Sequence, residues 1–120
     1  MKPFKLQHRI GSFQYAFEGI LFFFKTQHNA IIHLFATVFV IALGLFCHLS
    51  INEWLFIALA TGFVWSAEIF NTAIEAIMDH LSPEIHSKVK LIKDLSAAAV
   101  LVAAVTAVVV AAFIFIPKLF

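Results

Sequence analysis

The chain is short of charged residues. Only 12% of its 120 residues are Asp, Glu, Lys or Arg, whereas 62% are hydrophobic. A soluble domain of this size must cover its surface with polar groups, and charged residues ordinarily make up about 25% of such a domain. The composition therefore excludes an ordinary water-soluble domain and favours a chain that folds in a lipid bilayer.

Cysteine, glycine and clustered basic residues are also scarce. The single cysteine, Cys47, excludes an intrachain disulfide and a cysteine-based metal cluster. The four glycines form neither a Walker A loop nor a kinase glycine-rich loop, so any use of ATP needs a different kind of phosphate site. The few basic residues lie beside apolar runs, and nothing in their arrangement indicates a nucleic-acid partner.

Long uncharged runs, in contrast, are abundant. One lies between Lys25 and Glu53 and another covers residues 95–117, and each exceeds the roughly 20 residues that cross a bilayer core. A middle segment reaches the same length only by continuing through Glu68. We therefore predict an all-α membrane protein that forms a single domain over residues 1–120. The predicted transmembrane helices cover about residues 30–47, 53–80 and 90–117.

The N-terminal segment has a different pattern. Phe13, Phe17, Leu21 and Phe24 recur at helical spacing and share one apolar face. A helix with aromatic residues on one side and some basic charge is typical of the membrane interface. Residues 4–25 are therefore predicted to form an amphipathic surface helix.

The basic residues are distributed unevenly among the connections. They precede the first predicted span and occupy the segment between the second and third spans, whereas residues 48–53 contain no Lys or Arg. Cationic connections stay in the cytoplasm. The N-terminus and the 80–93 connection are therefore predicted to be cytoplasmic.

Polar residues lie on one face of the middle helix, where a membrane helix would least accommodate them. Glu68, Asn71, Glu75 and Asp79 are separated by three, four and four residues, and this spacing places them on one helical face. An ionisable residue at membrane depth is costly and is by default a candidate functional site. Glu68 could accept a proton from a lipid hydroxyl, or equally could bond a neighbouring helix to fix its register.

Two carboxylates of this face point to a metal. Glu75 and Asp79 are one turn apart, and Mg²⁺ prefers one or two carboxylates together with substrate phosphates. Asp79 taken alone is more simply a solvated helix end, whereas Glu75 lies deeper and is the stronger candidate.

Polar residues further along the chain also have two interpretations each. Lys93 and Asp94, which we predict to open the third span, could meet a phosphate there, or could be a snorkelling lysine beside a capping aspartate. Glu84 and His86 could contact a nucleotide or belong to a solvated loop. His33, at the start of an apolar span, is expected to be a hydrogen-bonded structural residue rather than a ligand.

The order and spacing of these residues resemble a known signature. The elements are Glu68-x-x-Asn71-Thr72-Ala73-Ile74-Glu75-Ala76-x-x-Asp79, then His86, then Lys93-Asp94-x-x-Ala97-Ala98-Ala99-Val100, with Phe13-x-Tyr15-Ala16-x-x-Gly19 near the N-terminus. Together they are similar to the prokaryotic integral-membrane diacylglycerol kinase/undecaprenol kinase family. The resemblance covers most of the chain, and its first element is highly specific.

The resemblance implies a small three-span kinase of the bacterial cytoplasmic (inner) membrane that assembles as a homotrimer. Its active sites would lie between subunits at the cytoplasmic surface, where Mg-ATP meets a membrane lipid alcohol, undecaprenol or diacylglycerol. The stretch Lys25-Thr26-x-x-Asn29-x-x-Ile32-His33-Leu34 is more similar to the undecaprenol kinase branch.

The resemblance also implies roles for individual residues. Glu68 resembles the catalytic base, with Asn71 supporting it, and Glu75 resembles the carboxylate that holds Mg²⁺ with the ATP phosphates. The family usually has a second metal-binding glutamate just before the first span, where this chain has Gln27, and a neutral amide is a weaker Mg²⁺ ligand. The implied ATP-binding positions are Arg9, Tyr15, Gln27, Glu75, Glu84, His86, Lys93 and Asp94.

A non-enzymatic membrane protein is the alternative. Glu68 and Asn71 could line the ion path of a small channel or transporter, or belong to a scaffold with a degenerate kinase site. The kinase hypothesis predicts transfer of the ATP γ-phosphate to a lipid. The alternative predicts no ATP binding and a dependence of flux on Glu68.

Overall fold

The computed structural model describes residues 3–81 and 87–120, and these residues form four α-helices. The helices are α1 Leu6–Thr26, α2 His28–Phe46, α3 Ile51–Leu81 and α4 Ser87–Leu119. The last three are each long and apolar enough to cross a membrane. The prediction of an all-α membrane protein with three spanning helices is confirmed.

The start of α4 differs from the sequence-based expectation. The helix begins at Ser87, so Lys93 and Asp94 lie about two turns inside it and do not open it. The prediction that these two residues form the helix N-terminus is wrong. The reason is local: residues 87–93 contain no Gly or Pro, and their Lys, Leu and Ile side chains all tolerate a helix.

The end of α4 also passes the predicted boundary. Pro117 lies inside the helix, which continues to Leu119. A proline removes a backbone donor from the helical ladder, but here it does so within the last turn, where little helix follows. The Phe120 N–H still donates to the Ile116 carbonyl at 3.0 Å.

The turn between α2 and α3 is closed by the end of α2 itself. His48 adopts a left-handed φ of 53°. Its N–H donates to the Leu45 carbonyl at 3.4 Å, and the Leu49 N–H donates to the Gly44 carbonyl at 3.3 Å. These two bonds form a Schellman motif, which satisfies carbonyls that the helix end leaves free.

The start of α3 carries a reciprocal cap. The Ser50 N–H donates to Glu53 Oε1 at 2.9 Å, and the Glu53 N–H donates to Ser50 Oγ at 3.2 Å. This is a capping box, and it satisfies a free donor of the first turn of α3. Glu53 Oε1 also lies 3.2 Å from Lys118 Nζ. The cap of α3 is thereby joined to the end of α4.

Helices α3 and α4 pack as an antiparallel pair. Asp79 near the end of α3 pairs with Lys93 in the early turns of α4, and Glu53 at the start of α3 pairs with Lys118 at the end of α4. Beside the α2–α3 turn, the pair forms an apolar core. Its buried members are Leu49, Ile57, Ile114 and Phe115.

Helix α2 runs antiparallel to α3 and approaches it closely at Gly44. A Cβ placed on Gly44 would lie 2.5 Å from Cη2 of Trp54 and 3.0 Å from Cδ1 of Leu49. Real Cβ atoms do not come that close to other carbons, so the absence of a side chain at Gly44 sets the distance between the two helices here.

Large apolar side chains cover the outer surface of the chain. Phe35, Phe46 and Phe113, for example, are all more than 70% exposed. Side chains of this kind need lipid or a second protein surface around them, because water would make such a surface aggregate. The exposure agrees with a chain whose helices lie in a bilayer.

Helix α1 contacts the remaining helices through its C-terminal end. Phe23 is buried, and the rings of Phe23 and Phe24 both pack against Trp65 of α3. Most of the apolar face predicted for this helix is exposed, including Phe13 and Phe17. The placement of α1 in the membrane interface stays a prediction.

Candidate active site

The centre of the candidate site is a buried carboxylate in the middle of α3. Glu68 is 3% exposed. Its Oε1 lies 2.7 Å from Nε2 of His33, which comes from α2. With Glu68 ionised, its carboxylate can only accept, and the hydrogen bond then requires a proton on Nε2 of His33. A carboxylate this deeply buried is retained when it is paired or when it does chemistry.

A second polar contact joins the same two helices beside the first. The indole N–H of Trp65 donates to Oγ1 of Thr37 at 3.0 Å, and the Thr37 hydroxyl donates to the His33 carbonyl at 2.7 Å. The His33 ring also meets the Trp65 ring edge-on, with centroids 6.1 Å apart. The His33 imidazole is therefore fixed by contacts on its backbone and on its ring.

One turn along α3, Asn71 connects this region to α4. Its Oδ1 accepts from the Ser96 hydroxyl at 2.7 Å, and its Nδ2 donates to Oε1 of Glu75 at the longer distance of 3.5 Å. The hydroxyl bond and the carboxylate bond together determine which end of the amide faces which neighbour. Asn71 therefore links Glu75 to the α4 side of the site.

Sequence reasoning does not identify Ser96 and assigns His33 no role beyond structure. Ser96 is buried just before the run of alanines in α4, and its signal in the sequence is a lone hydroxyl next to small residues on a membrane helix. His33 carries a comparable signal, an ionisable ring within an apolar span. In both cases the partner comes from another helix, so the sequence pattern alone does not reveal the contact.

The cytoplasmic end predicted for α3 carries exposed ion pairs. Lys93 Nζ pairs with Asp79 Oδ1, and Lys90 Nζ lies 2.6 Å from Asp94 Oδ2. Exposed pairs of this kind exchange partners easily because they contribute little to stability. Lys93 and Asp94 therefore lie at the exposed end of this face, each in an ion pair.

Polar groups on α3 thus change in exposure along one face. Glu68 is buried, Asn71 and Glu75 are partly exposed, and Asp79 is exposed. The face connects an apolar environment at Glu68 with a charged, accessible end at Asp79. A reaction between an apolar substrate and a charged one would need such a gradient.

Three of the predicted site residues lie on or next to α1. Arg9 stacks on the Phe4 ring at 5.3 Å, Tyr15 is exposed, and Gln27 forms the extended residue between α1 and α2, with its side-chain amide donating to Thr26 Oγ1 at 3.4 Å. Within residues 3–81 and 87–120, no hydrogen bond or ion pair joins these three side chains to Glu75. Glu84 and His86 lie outside the described residues.

In the part of the chain that the structure describes, no three His, Cys, Asp or Glu side chains come together as a metal site. Glu75, a partly exposed carboxylate, is the kind of single protein ligand that suits Mg²⁺ when substrate phosphates supply the remaining oxygens. The residues present therefore fit a metal that arrives with a phosphate compound.

An apolar groove opens beside His33 and has a volume of about 250 Å³. Alanines at several positions leave the space that larger side chains would fill. The groove is lined by His33, Ala36, Thr37, Val40, Thr61, Val64, Ala104, Ala107, Val108 and Ala111. A hydrocarbon chain in this groove would lie next to the ring that contacts Glu68.

Three helices long enough to span a membrane, with a polar face that runs from a buried carboxylate to exposed charges, form an arrangement that suits an integral-membrane enzyme acting at the bilayer surface. The sequence model of the prokaryotic diacylglycerol kinase family matches residues 14–115, and the chain belongs to this family. It is accordingly a membrane lipid kinase that uses ATP. This assignment decides against the non-enzymatic alternative.

Two relatives with known names support the assignment. The chain is 39% identical over 115 residues to the undecaprenol kinase of Bacillus subtilis strain 168, and the aligned region covers 96% of this chain and 94% of that protein. It is 38% identical over 109 residues to the diacylglycerol kinase of Synechocystis sp. PCC 6803, and the aligned region covers 90% of this chain and 62% of that protein.

Proposed function

We propose that this kinase transfers the ATP γ-phosphate to undecaprenol at the cytoplasmic face of the bacterial inner membrane, with Glu68 as the catalytic base. The observation that carries the proposal is the buried Glu68 carboxylate, which contacts His33 and begins the polar face of α3. Undecaprenol is proposed over diacylglycerol because the stretch Lys25-Thr26-x-x-Asn29-x-x-Ile32-His33-Leu34 is more similar to the undecaprenol kinase branch, and the undecaprenol kinase of Bacillus subtilis is 39% identical over 115 residues.

Glu68 would act on the acceptor hydroxyl. As the lipid oxygen bonds to the γ-phosphorus, the hydroxyl proton moves to the Glu68 carboxylate and the bond from the γ-phosphorus to the leaving ADP oxygen breaks. Phosphoryl transfer depends mainly on positioning and charge stabilisation, so the protein needs few reactive groups. The groove beside His33 supports this arrangement, because the apolar chain of the acceptor could approach Glu68 laterally from the bilayer.

Glu75 would hold Mg²⁺ together with the ATP phosphates, with the Gln27 amide as a weaker ligand in place of the family's second glutamate. The metal would offset negative charge on the transferring phosphoryl group. Asn71 would keep the Glu75 carboxylate oriented through the contact between its Nδ2 and Glu75 Oε1. Lys93 and Asp94 would contact the nucleotide at the accessible end of the face.

The remaining nucleotide contacts are proposed to come from a second subunit. Arg9, Tyr15 and Gln27 have no bond to Glu75 in the described part of one chain, and the outer surface is rich in exposed phenylalanines that another subunit could cover. We therefore propose a homotrimer with active sites between subunits. Glu84 and His86 are proposed nucleotide contacts on the basis of the family resemblance.

The test is a lipid phosphorylation assay with the purified protein in mixed micelles, γ-labelled ATP, Mg²⁺, and either undecaprenol or diacylglycerol. We expect label in undecaprenyl phosphate at a higher kcat/KM than in phosphatidic acid. Glu68→Gln should reduce turnover at least 10²-fold, the lower range for loss of a general base, while the protein keeps its size in detergent.

Two results would contradict the proposal. If Glu68→Gln turns over at the wild-type rate, Glu68 is not the catalytic base. If the enzyme clearly prefers diacylglycerol, undecaprenol is not its main acceptor. Glu18→Gln is the matched control, because Glu18 lies exposed on α1 and bonds only its neighbour Gln14 among the described residues. It should leave turnover unchanged.

A further inference from the structure

The contact between His33 and Glu68 has a geometry that goes beyond holding two helices together. Only one oxygen of the Glu68 carboxylate, Oε1, is bonded by a side chain in the described part of the chain. Every fully buried polar side-chain atom there has a partner. Oε2 of Glu68 has no hydrogen-bond partner among the described residues, so it cannot be one of these fully buried atoms. It therefore keeps a small accessible surface, although Glu68 as a whole is buried.

We infer that His33 is a positioning residue for the kinase reaction: its Nε2–H fixes Oε1 of Glu68 so that Oε2 faces the space where the acceptor hydroxyl arrives. The inference rests on the proposed role of Glu68 as base. The lone pairs of Oε2 then take the hydroxyl proton while the lipid oxygen bonds to phosphorus. His33 itself neither gains nor loses a proton in this step.

The surroundings of His33 favour this role over that of a simple helix contact. The Thr37 hydroxyl holds its backbone carbonyl and the Trp65 ring packs against its imidazole, so the ring has little freedom to turn away. Next to this contact, α2 and α3 are already joined by the hydrogen bond from the Trp65 indole to Thr37. A further hydrogen bond that served only helix packing would not need two ionisable side chains.

Burial gives the contact its effect on the reaction. Glu68 is 3% exposed, so few groups other than His33 can reach its carboxylate and orient it. Losing a hydrogen-bond donor to a buried charge leaves the charge unsatisfied, and the carboxylate would rotate toward any other donor within reach. Misorientation of a base slows the proton transfer without changing how the substrates bind.

The inference is tested with two substitutions at His33 that differ in donor capacity. His33→Leu removes the donor, whereas His33→Gln keeps an N–H that can reach the carboxylate. We expect His33→Leu to lower kcat about 10- to 100-fold, which is less than loss of the base itself, with KM for ATP and lipid within about twofold of wild type. His33→Gln should recover most of the lost kcat.

A control and a spectroscopic measurement separate positioning from packing. Lys118→Met breaks the ion pair with Glu53 that joins α3 to α4 far from His33, and it should leave kcat within about threefold, because the loss of a remote helix contact acts on stability rather than on the proton transfer. In protein labelled with ¹⁵N-histidine, the signal that disappears in His33→Gln should show a protonated Nε2. That signal should shift in Glu68→Gln.

Several results would overturn the inference. These are a kcat for His33→Leu within twofold of wild type, equal losses in His33→Gln and His33→Leu, an equal loss in Lys118→Met, or an unprotonated Nε2 on His33. Should His33→Leu fail to fold, His33→Ala with added imidazole replaces it, and no recovery of kcat by imidazole would count against the role. An active Glu68→Gln protein would instead refute the proposed function on which the inference rests.

Discussion

Replacing Gly44 by alanine tests whether the close approach of α2 and α3 is set by the missing side chain. The added Cβ would lie 2.5 Å from Cη2 of Trp54, whereas carbon atoms in contact are normally about 3.5–4.0 Å apart. The ring would have to move by roughly 1 Å or more. Overpacking of this size costs about 1–3 kcal/mol.

Alanine also has a better helix propensity than glycine, by about 0.8–1.0 kcal/mol, and this gain opposes the steric cost. Gly62→Ala and Gly11→Ala are matched controls, because a Cβ at either position has no neighbouring atom within 4 Å. The propensity gain is common to all three variants. The difference between Gly44→Ala and the controls therefore isolates the steric cost, which we expect to be about 1–3 kcal/mol.

The assay is unfolding in mixed detergent micelles, followed by the loss of helical circular dichroism as the fraction of denaturing detergent rises. Gly44→Ala should unfold earlier than both controls. Combining it with Trp54→Phe, which shortens the ring that the new Cβ meets, should recover part of the loss. If Gly44→Ala is as stable as Gly62→Ala, the structural reason given for Gly44 is incorrect.

Two further substitutions test other local features. His48→Gly should stabilise the protein by about 1 kcal/mol in the same unfolding assay, because the left-handed φ of 53° costs a non-glycine residue about 1–2 kcal/mol; an unchanged or lower stability would refute this. Ser96→Ala removes the donor to Asn71 Oδ1, so we expect about 1–3 kcal/mol of destabilisation and a several-fold lower kcat, measured by unfolding and by lipid phosphorylation. Ser96→Thr, which keeps the hydroxyl, should be milder, and equal effects of Ala and Thr would argue against the bond.

Features that depend on composition and on spacing within one helix could be predicted from the sequence. The three spans follow from uncharged runs, and the shared face of Glu68, Asn71 and Glu75 follows from helical periodicity. The structure bears out the spans because in a bilayer a long apolar segment has few options other than a helix. The Ser50-x-x-Glu53 capping box is also visible in the sequence as a helix start.

Features that depend on two helices meeting could not be predicted in this way. The sequence around His33 does not indicate that Glu68 is its partner, and the sequence around Ser96 does not indicate Asn71. Each pair meets only because two helices pack together. The predicted start of α4 is too late for a different reason, which is local. The charges of Lys93 and Asp94 suggest a membrane boundary, but a helix extends past that boundary wherever its residues favour it.

The unequal lengths of α2 and α3 have a consequence for the depth of the reaction. The 19 residues of α2 extend about 28 Å, close to the thickness of the hydrocarbon core, whereas the 31 residues of α3 extend about 46 Å and must project beyond it. His33 is the sixth residue of α2, so it lies about 8 Å inside the point where that helix begins. We therefore expect the acceptor to place its hydroxyl at a comparable depth in the bilayer. A lipid whose only polar group is an alcohol loses little hydration free energy at that depth, whereas a lipid with a larger hydrated headgroup loses more.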